Sequence, residues 1–368
     1  MAKQHALLSA STAARWIACP PSARLSENII DKPSEYAAQG TDAHSLCEYK
    51  LRKALGDKVR KPKLSFYDSE MEDACESYAL FVMGLVSQFN KPLVLVEQRV
   101  DFSDFVPDGF GTADALLIAD KEMFVIDFKY GTGIEVDADH NPQMMCYSLG
   151  SLQMFGNLYD IEAVNMVIFQ PRLGNVSEFE ITKQDLLDWA KNTLTPAAKL
   201  AYDGKGEFCA GAHCQFCKVK STCRKRAEYN LSLAQYDFAM PPTLEDKEIE
   251  AVLQKADDLT AWANDIKDYA LQAALSGKEW QGYKLVEGRS NRKYTDETAV
   301  AEKVKAAGYN PFEEKLLGIT AMNKMLGGKK FAELLSNLIE KPPGKPTLVP
   351  LSDKRPAINT AKEDFKEE

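Results

Sequence analysis

Long apolar runs are missing from this 368-residue chain. No stretch approaches the roughly 18 apolar residues that a membrane span needs, and the Met-Ala-Lys-Gln-His start lacks the basic-then-apolar layout of a secretory signal. A cytoplasmic location and no membrane partner are therefore expected. An excess of positive charge is missing as well: 45 Lys and Arg stand against 54 Asp and Glu, for a net charge of −9. That balance argues against a protein that coats nucleic acid by bulk electrostatics, while leaving open a local field at a groove. No Gly-x4-Gly-Lys-Ser/Thr loop is present, so any unwinding of a duplex would fall to a partner. There is no internal repeat. Disulfides are not expected either, because eight cysteines in a reducing compartment serve other purposes.

What is present is a globular composition, 45% hydrophobic, enough to bury a core in one large or two ordinary domains. Residues 9–27 read as a helix that breaks or bends at Cys19-Pro-Pro, since consecutive prolines cannot continue an established helix. Helices follow at about 34–55 and 69–89, from apolar residues at three- and four-residue spacing. The β-branched run Leu93–Val100 reads as a strand, and 111–119 and 122–129 as two more, joined by the tight turn Asp120-Lys121. A helix opens at Asn141-Pro142, a strand covers 163–170, and its hairpin partner covers 176–181. The order of helix, three strands, helix and strand predicts an α/β core. Helices are expected at 183–202 and 244–275, a strand at 282–287, and two or three short helices within 296–338. This divides the chain into a core domain at 1–230, a mainly helical accessory region at 231–340 and an extended or disordered tail at 341–368.

The chemistry gathers in a few short patterns. Gly111-Thr-Ala-Asp114 and Val125-Ile-Asp127-Phe-Lys129 set two carboxylates and a lysine on neighbouring strands. Two close carboxylates repel and are tolerable mainly around a hard divalent cation. A lysine two residues after the second one shares its strand face and can polarise a water or stabilise a developing phosphorane. His44 and Glu48 lie four apart on one helical face, so the imidazole could complete a metal site with Asp114 and Asp127. Gln143 and Tyr147 share the same spacing in the next helix and could reach the same cleft. Glu97 interrupts an otherwise apolar strand, which by alternation alone marks its solvent side.

In order, Gly40-x3-His44-x3-Glu48, Glu97, Gly111-x2-Asp114, Asp127-x-Lys129 and Gln143-x3-Tyr147 resemble the RecB-like branch of the PD-(D/E)XK nuclease superfamily over roughly residues 10–225. The resemblance implies a restriction-endonuclease-like α/β core with a central mixed sheet flanked by helices. In it His44, Asp114, Asp127 and the Phe128 carbonyl would hold Mg²⁺ or Mn²⁺, and Lys129 would orient or help deprotonate the attacking water. Gln143 and Tyr147 would hold the phosphate or DNA end, and Glu48 and Glu97 are possible accessory residues.

Cys214-x2-Cys217-x5-Cys223 supplies three thiolates, and a four-coordinate site needs a fourth ligand. Cys209 is the local candidate and would make a structural Zn²⁺ knot; Cys19 is the remote one. Iron–sulfur members of the branch place one cysteine before the nuclease core and such a triplet after it, so the resemblance implies a 4Fe–4S cluster on Cys19, Cys214, Cys217 and Cys223. Cys47, Cys75 and Cys146 lie in helical patterns and read as small core residues. Lys218, Lys220, Arg224, Lys225 and Arg226 make a basic patch, either a solvated surface or a phosphate track. Arg289, Arg292 and Lys293 with Tyr294 make a weaker one.

The resulting expectation is a divalent-metal-dependent DNA nuclease, an exonuclease on single-stranded DNA or DNA ends. Compact forms without a helicase, and the tail motif Leu348-Val-Pro-Leu-Ser-Asp353-Lys-Arg-Pro356, are similar to phage- and prophage-encoded recombination or replication nucleases. A single-strand-binding or recombination protein is then a natural partner. The alternatives are a catalytically silent DNA-binding or scaffold protein and a zinc-stabilised interaction module.

Overall fold

The computed structural model describes residues 6–29, 35–232, 244–287, 294–312, 316–340 and 349. The tail motif apart from Val349, and the patch at Arg289, Arg292 and Lys293, lie outside the described residues. The chain forms two compact units, Met1–Gln272 and Ala273–Glu368.

The first unit is an α/β structure around one five-stranded mixed sheet in the order β1-β2-β3-β4-β5. Strands β1 (Leu93–Asp101), β2 (Phe110–Ala119) and β3 (Glu122–Phe128) form an antiparallel meander. Helix α5 (Pro142–Phe155) then crosses over so that β4 (Ala163–Gln170) runs parallel to β3, and β5 (Asn175–Thr182) pairs antiparallel with β4. The N-terminal helices are α1 (Ala13–Ala18), α2 (Ser22–Glu27), α3 (Glu35–Ala54) and α4 (Ser69–Val86). After the sheet come α6 (Lys183–Trp189), a π-turn at Ala190–Leu194, α7 (Thr195–Asp203), α8 (Arg224–Leu231) and α9 (Asp246–Leu275).

Local chemistry sets the helix starts. Asp68 accepts from the Met71 N–H at 2.8 Å to cap α4. Asn141 accepts from the Gln143 N–H at 3.0 Å to cap α5, whose first residue is Pro142, a position where the missing N–H costs nothing. The caps matter for function because α5 carries Gln143 in its first turn.

Both sheet faces are covered, which is why β3 and β4 read as nearly continuous apolar runs. On one face Trp16, Leu116, Ile118, Val125, Met144, Leu149 and Met166 pack into a core under α1, α5, α6 and α7. On the other, Leu46 and Leu51 of α3 and Met71, Tyr78 and Val82 of α4 pack against Ile126, Phe128 and Val167. Cys47, Cys75 and Cys146 are buried among these apolar groups.

The second unit contains α10 (Glu297–Ala306), α11 (Ile319–Leu326) and α12 (Gly328–Leu335). No residue described in it is buried. Residues 282–287, expected as a strand, are irregular and exposed: a short extended segment without a neighbouring strand has no ladder to satisfy its peptide groups.

Candidate functional site

The ladder register places three carboxylates in one row. Val96 pairs with Ala115 and Gln98 with Ala113, so Glu97 faces Asp114 across β1–β2. Ala115 pairs with Ile126, so the next step along β2–β3 sets Asp114 against Asp127. Neither facing pair is itself ladder-bonded. The Phe128 N–H instead donates to Asp114 Oδ2 at 2.7 Å, a side-chain oxygen standing in for a strand carbonyl.

The same row is where the sheet changes face. Val96 packs in the α3/α4 core and Val100 in the α5 core, although residues four apart in a regular strand share a face. Ala115 and Ala113 are divided in the same way. The cause sits between them: Glu97 has φ +51°, a left-handed conformation that costs a side-chain-bearing residue roughly 1–2 kcal/mol. Alternation therefore fails at Glu97, and reading it as the solvent side of the strand is corrected. Its carboxylate lies with His44 of α3 and Asp114 of β2, ligand atoms all within 4.8 Å of one another. Among the described residues, no other three His, Cys, Asp or Glu side chains gather so tightly.

Asp127 stands beside that triad and outside it. Gln143 Nε2 donates to Asp127 Oδ1 at 3.0 Å and to the Tyr147 hydroxyl at 3.1 Å, while Lys129 Nζ donates to Gln143 Oε1 at 3.2 Å. Lys129 Nζ also lies 2.8 Å from Asp127 Oδ2, an ion pair whose angles do not make a hydrogen bond, so this buried oxygen is held by charge alone. Tyr147 is placed by the motif glycine: a Cβ at Gly111 would lie 2.6 Å from its ring.

Charge here is poised. Burial opposes a proton on His44, but the Asp114 carboxylate 3.3 Å away and the charge of Asp127 outweigh it and raise the imidazole to about 9. Burial would raise Asp114, yet His44, the Phe128 N–H and Lys129 hold it below the usual carboxylate range. Asp127 goes the other way, pushed up by burial and by Asp114 despite its lysine. Burial works against the charge on Lys129, and the Asp127 and Asp114 carboxylates overcome it and keep the ammonium protonated. Burial first, then Asp114, push Glu97 up to about 7.

Elsewhere in the same unit, one cavity is lined by Cys19, Cys209, His213, Cys214, Cys217, Cys223 and Arg226. Cys19 ends α1, Cys214 sits in the short 3-10 helix Ala212–Phe216, Cys217 follows it, and Cys223 precedes α8. Cys19, Cys214 and Cys217 are buried, Cys223 is half-buried and Cys209 is exposed. His213 donates from Nε2 to the Cys209 carbonyl at 2.9 Å. The Cys19 and Cys214 thiols raise that imidazole to about 10, and it in turn brings both thiols below their ordinary value although burial alone would raise them.

A family described as "Protein of unknown function (DUF2800)" matches residues 5–356. The chain belongs to that family. A solved structure described as "Crystal structure of SSO0001" is 16% identical over 58% of the DUF2800 chain and 96% of its own, with a TM-score of 0.22. So low a score says nothing about the fold.

In this DUF2800 protein the structure brings His44, Asp114, Asp127, Lys129, Gln143 and Tyr147 into one connected cluster, with Phe128 joined through its N–H. Glu48 meets the cluster indirectly, accepting from Arg52 Nε at 2.8 Å, and Arg52 in turn donates to the Val96 carbonyl at 2.9 Å. Sequence reasoning missed Arg52; its spacing of four from Glu48 on the His44 helix face was the available signal. The basic patch after the cysteines is corrected in part. Arg226 is buried and paired with Asp265 of α9, Lys220 lies 2.7 Å from the same carboxylate at the surface, and Lys218 donates to the Ile29 carbonyl at 2.9 Å, so much of the patch is already engaged by the protein itself.

Proposed function

We propose that this protein is a divalent-metal-dependent DNA nuclease of the RecB-like PD-(D/E)XK type, acting on single-stranded DNA or DNA ends. One observation carries the reading: an imidazole, three carboxylates in a row, a lysine, a glutamine and a tyrosine, from α3, β1, β2, β3 and α5, converge on the spot where the sheet's alternation breaks. A structural protein gains nothing from crowding three carboxylates there, since facing like charges destabilise a sheet.

The residues fit Mg²⁺ or Mn²⁺. His44 and Asp114 present nitrogen and oxygen donors close together, and the hydrogen-bond-free Oδ2 of Asp127 is a buried oxygen available beside them. The Phe128 carbonyl would complete the set. When bound, such an ion supplies Lewis acidity and lowers the pKa of a water. The chain supplies the rest. Lys129 and Asp127, side by side, offer one proton donor and one acceptor with which to orient an attacking water, and the ammonium is in place to stabilise negative charge developing on phosphorus. Gln143 ties Lys129 to Asp127 and, with Tyr147, presents amide and hydroxyl groups to a phosphate.

The cysteine cavity fits a 4Fe–4S cluster on Cys19, Cys214, Cys217 and Cys223. Tetrahedral zinc at about 2.3 Å per sulfur would draw its thiolates to about 3.8 Å apart. No three of these thiols gather within the 4.8 Å that encloses the donors at the sheet. Burial favours Cys19 over the exposed Cys209 as fourth ligand. The setting that goes with this reading is phage or prophage recombination or replication, with a single-strand-binding or recombination protein as partner.

The deciding experiment is digestion of end-labelled single- and double-stranded DNA with and without Mg²⁺ or Mn²⁺, alongside iron analysis. Asp127→Ala and Lys129→Ala should each abolish metal-dependent degradation while leaving the circular-dichroism spectrum intact. Full activity in either variant overturns the assignment.

A further inference from the structure

Glu97 takes no part in the steps above, yet the fold spends a left-handed residue inside a strand to place it. Among the described residues no hydrogen bond or ion pair engages its carboxylate, although His44 and Asp114 lie within 4.8 Å of it. The reversal has its own support. His44, Glu48 and Arg52 follow one another at four-residue spacing down one face of α3. Arg52 is held by Glu48 at 2.8 Å and donates to the carbonyl of Val96 at 2.9 Å. That carbonyl belongs to the peptide whose nitrogen is Glu97's own, so holding its direction holds the peptide plane from which Glu97 turns left-handed. One helix face thus delivers the imidazole and clamps the strand that delivers the carboxylate.

We propose that Glu97 is a ligand of the same divalent cation as His44 and Asp114, and that Arg52 is the positioning residue that holds its backbone reversed. The proposal rests on the metal-site reading above and changes it: the tight donor set is imidazole plus two carboxylates from α3, β1 and β2, and Asp127 is left free to work with Lys129. Two carboxylate oxygens and one nitrogen suit Mn²⁺ and, through the oxygens, Mg²⁺.

The test is Mn²⁺ binding to the full chain, cleared of divalent ions by a chelator that leaves the cysteine-bound cluster in place, followed by calorimetry and by loss of the free-ion paramagnetic signal. Glu97→Gln should weaken binding about tenfold or more, the range in which even groups that only support a ligand act. Arg52→Met should weaken it several-fold in the wild-type background and add nothing in the Glu97→Gln background, and Arg52→Lys should recover part of the loss. Wild-type affinity in Glu97→Gln overturns the ligand assignment. An Arg52→Met effect that persists undiminished beside Glu97→Gln overturns the positioning role. Failure of the wild type to bind Mn²⁺ at all overturns the metal-site reading and this proposal with it, whereas binding that Glu97→Gln leaves unchanged overturns this proposal alone.

Discussion

The sheet cluster and the cysteine cavity are both candidate metal centres of one compact unit, and they are built in opposite ways. In the sheet cluster each donor is already engaged or aimed without an ion: Asp114 by the Phe128 N–H and His44, Asp127 by Gln143 and Lys129, and Glu97 by a clamped backbone. The cavity instead gathers thiols from the start and the end of the unit, with His213 as their main polar partner. A preorganised site keeps its shape when empty. A site whose ligands close a long loop contributes folding energy only when filled.

The sharpest way to break this contrast is to empty each centre separately. Cys19→Ala should strip the iron, bleach the protein and lower the unfolding free energy by about 3 kcal/mol or more, because the pin between α1 and the segment before α8 is lost. Removing divalent ions with a chelator that leaves the cluster intact should change neither secondary structure nor the cooperativity of unfolding. Circular dichroism and thermal scans check both arms, and the contrast fails if chelation unfolds the protein while Cys19→Ala leaves it as stable as before.

Much of this was legible in the sequence, for physical reasons. The strands announced themselves through β-branched runs and α5 through Asn141-Pro142, so the placement of Asp114, Asp127, Lys129, Gln143 and Tyr147 followed from ordinary periodicity. Glu97 was not legible by the same rule, because a period of two cannot foresee the residue at which the backbone turns left-handed and the period breaks. Arg52 was hidden for a related reason: its target is a main-chain carbonyl, and carbonyls leave no mark on a sequence. The basic patch was misjudged in part because Asp265, which neutralises Lys220 and Arg226, arrives from a helix some forty residues downstream. The strand expected at 282–287 failed because propensity supplies no partner strand.

A second, smaller perturbation sharpens the claim that the sheet cluster is preorganised. Gly111 is needed because the Tyr147 ring lies against it, where a Cβ would come within 2.6 Å. Gly111→Ala should cost about 1–3 kcal/mol, the usual price of overpacking. It should also lower nuclease activity more than that destabilisation explains, since Tyr147 carries the hydroxyl that bonds Gln143 and Gln143 is bonded to both Lys129 and Asp127. Iron content should not change. A variant that keeps full activity would show that the Tyr147 contact does not hold the sheet cluster in place, and one that loses iron would show the two centres to be less independent than their construction indicates.

The smallest expected effect is on the pH dependence of the sheet cluster. Glu97 is raised from an ordinary 4.5 to about 7, so the folded state binds the extra proton between those values and stability falls as pH rises through that window. His44 is raised from 6.5 to about 9; its contribution is fully present below pH 6.5 and is lost as pH rises through 9. Asp114 is lowered and acts only on the acid side of 3.8, where its contribution is lost as pH falls. From about 4.5 to 9, then, the empty sheet cluster should steadily lose stability, while Mn²⁺ affinity rises over the same range because protons and metal compete for Glu97 and His44. Thermal unfolding in chelator across this range reads the first trend and calorimetric Mn²⁺ titration the second. Glu97→Gln should flatten the lower arm, between 4.5 and 7, and leave the upper arm in place. A lower arm that survives the substitution would mean that its proton is not on Glu97 but on another raised group, of which Asp127 is the neighbour in the same row.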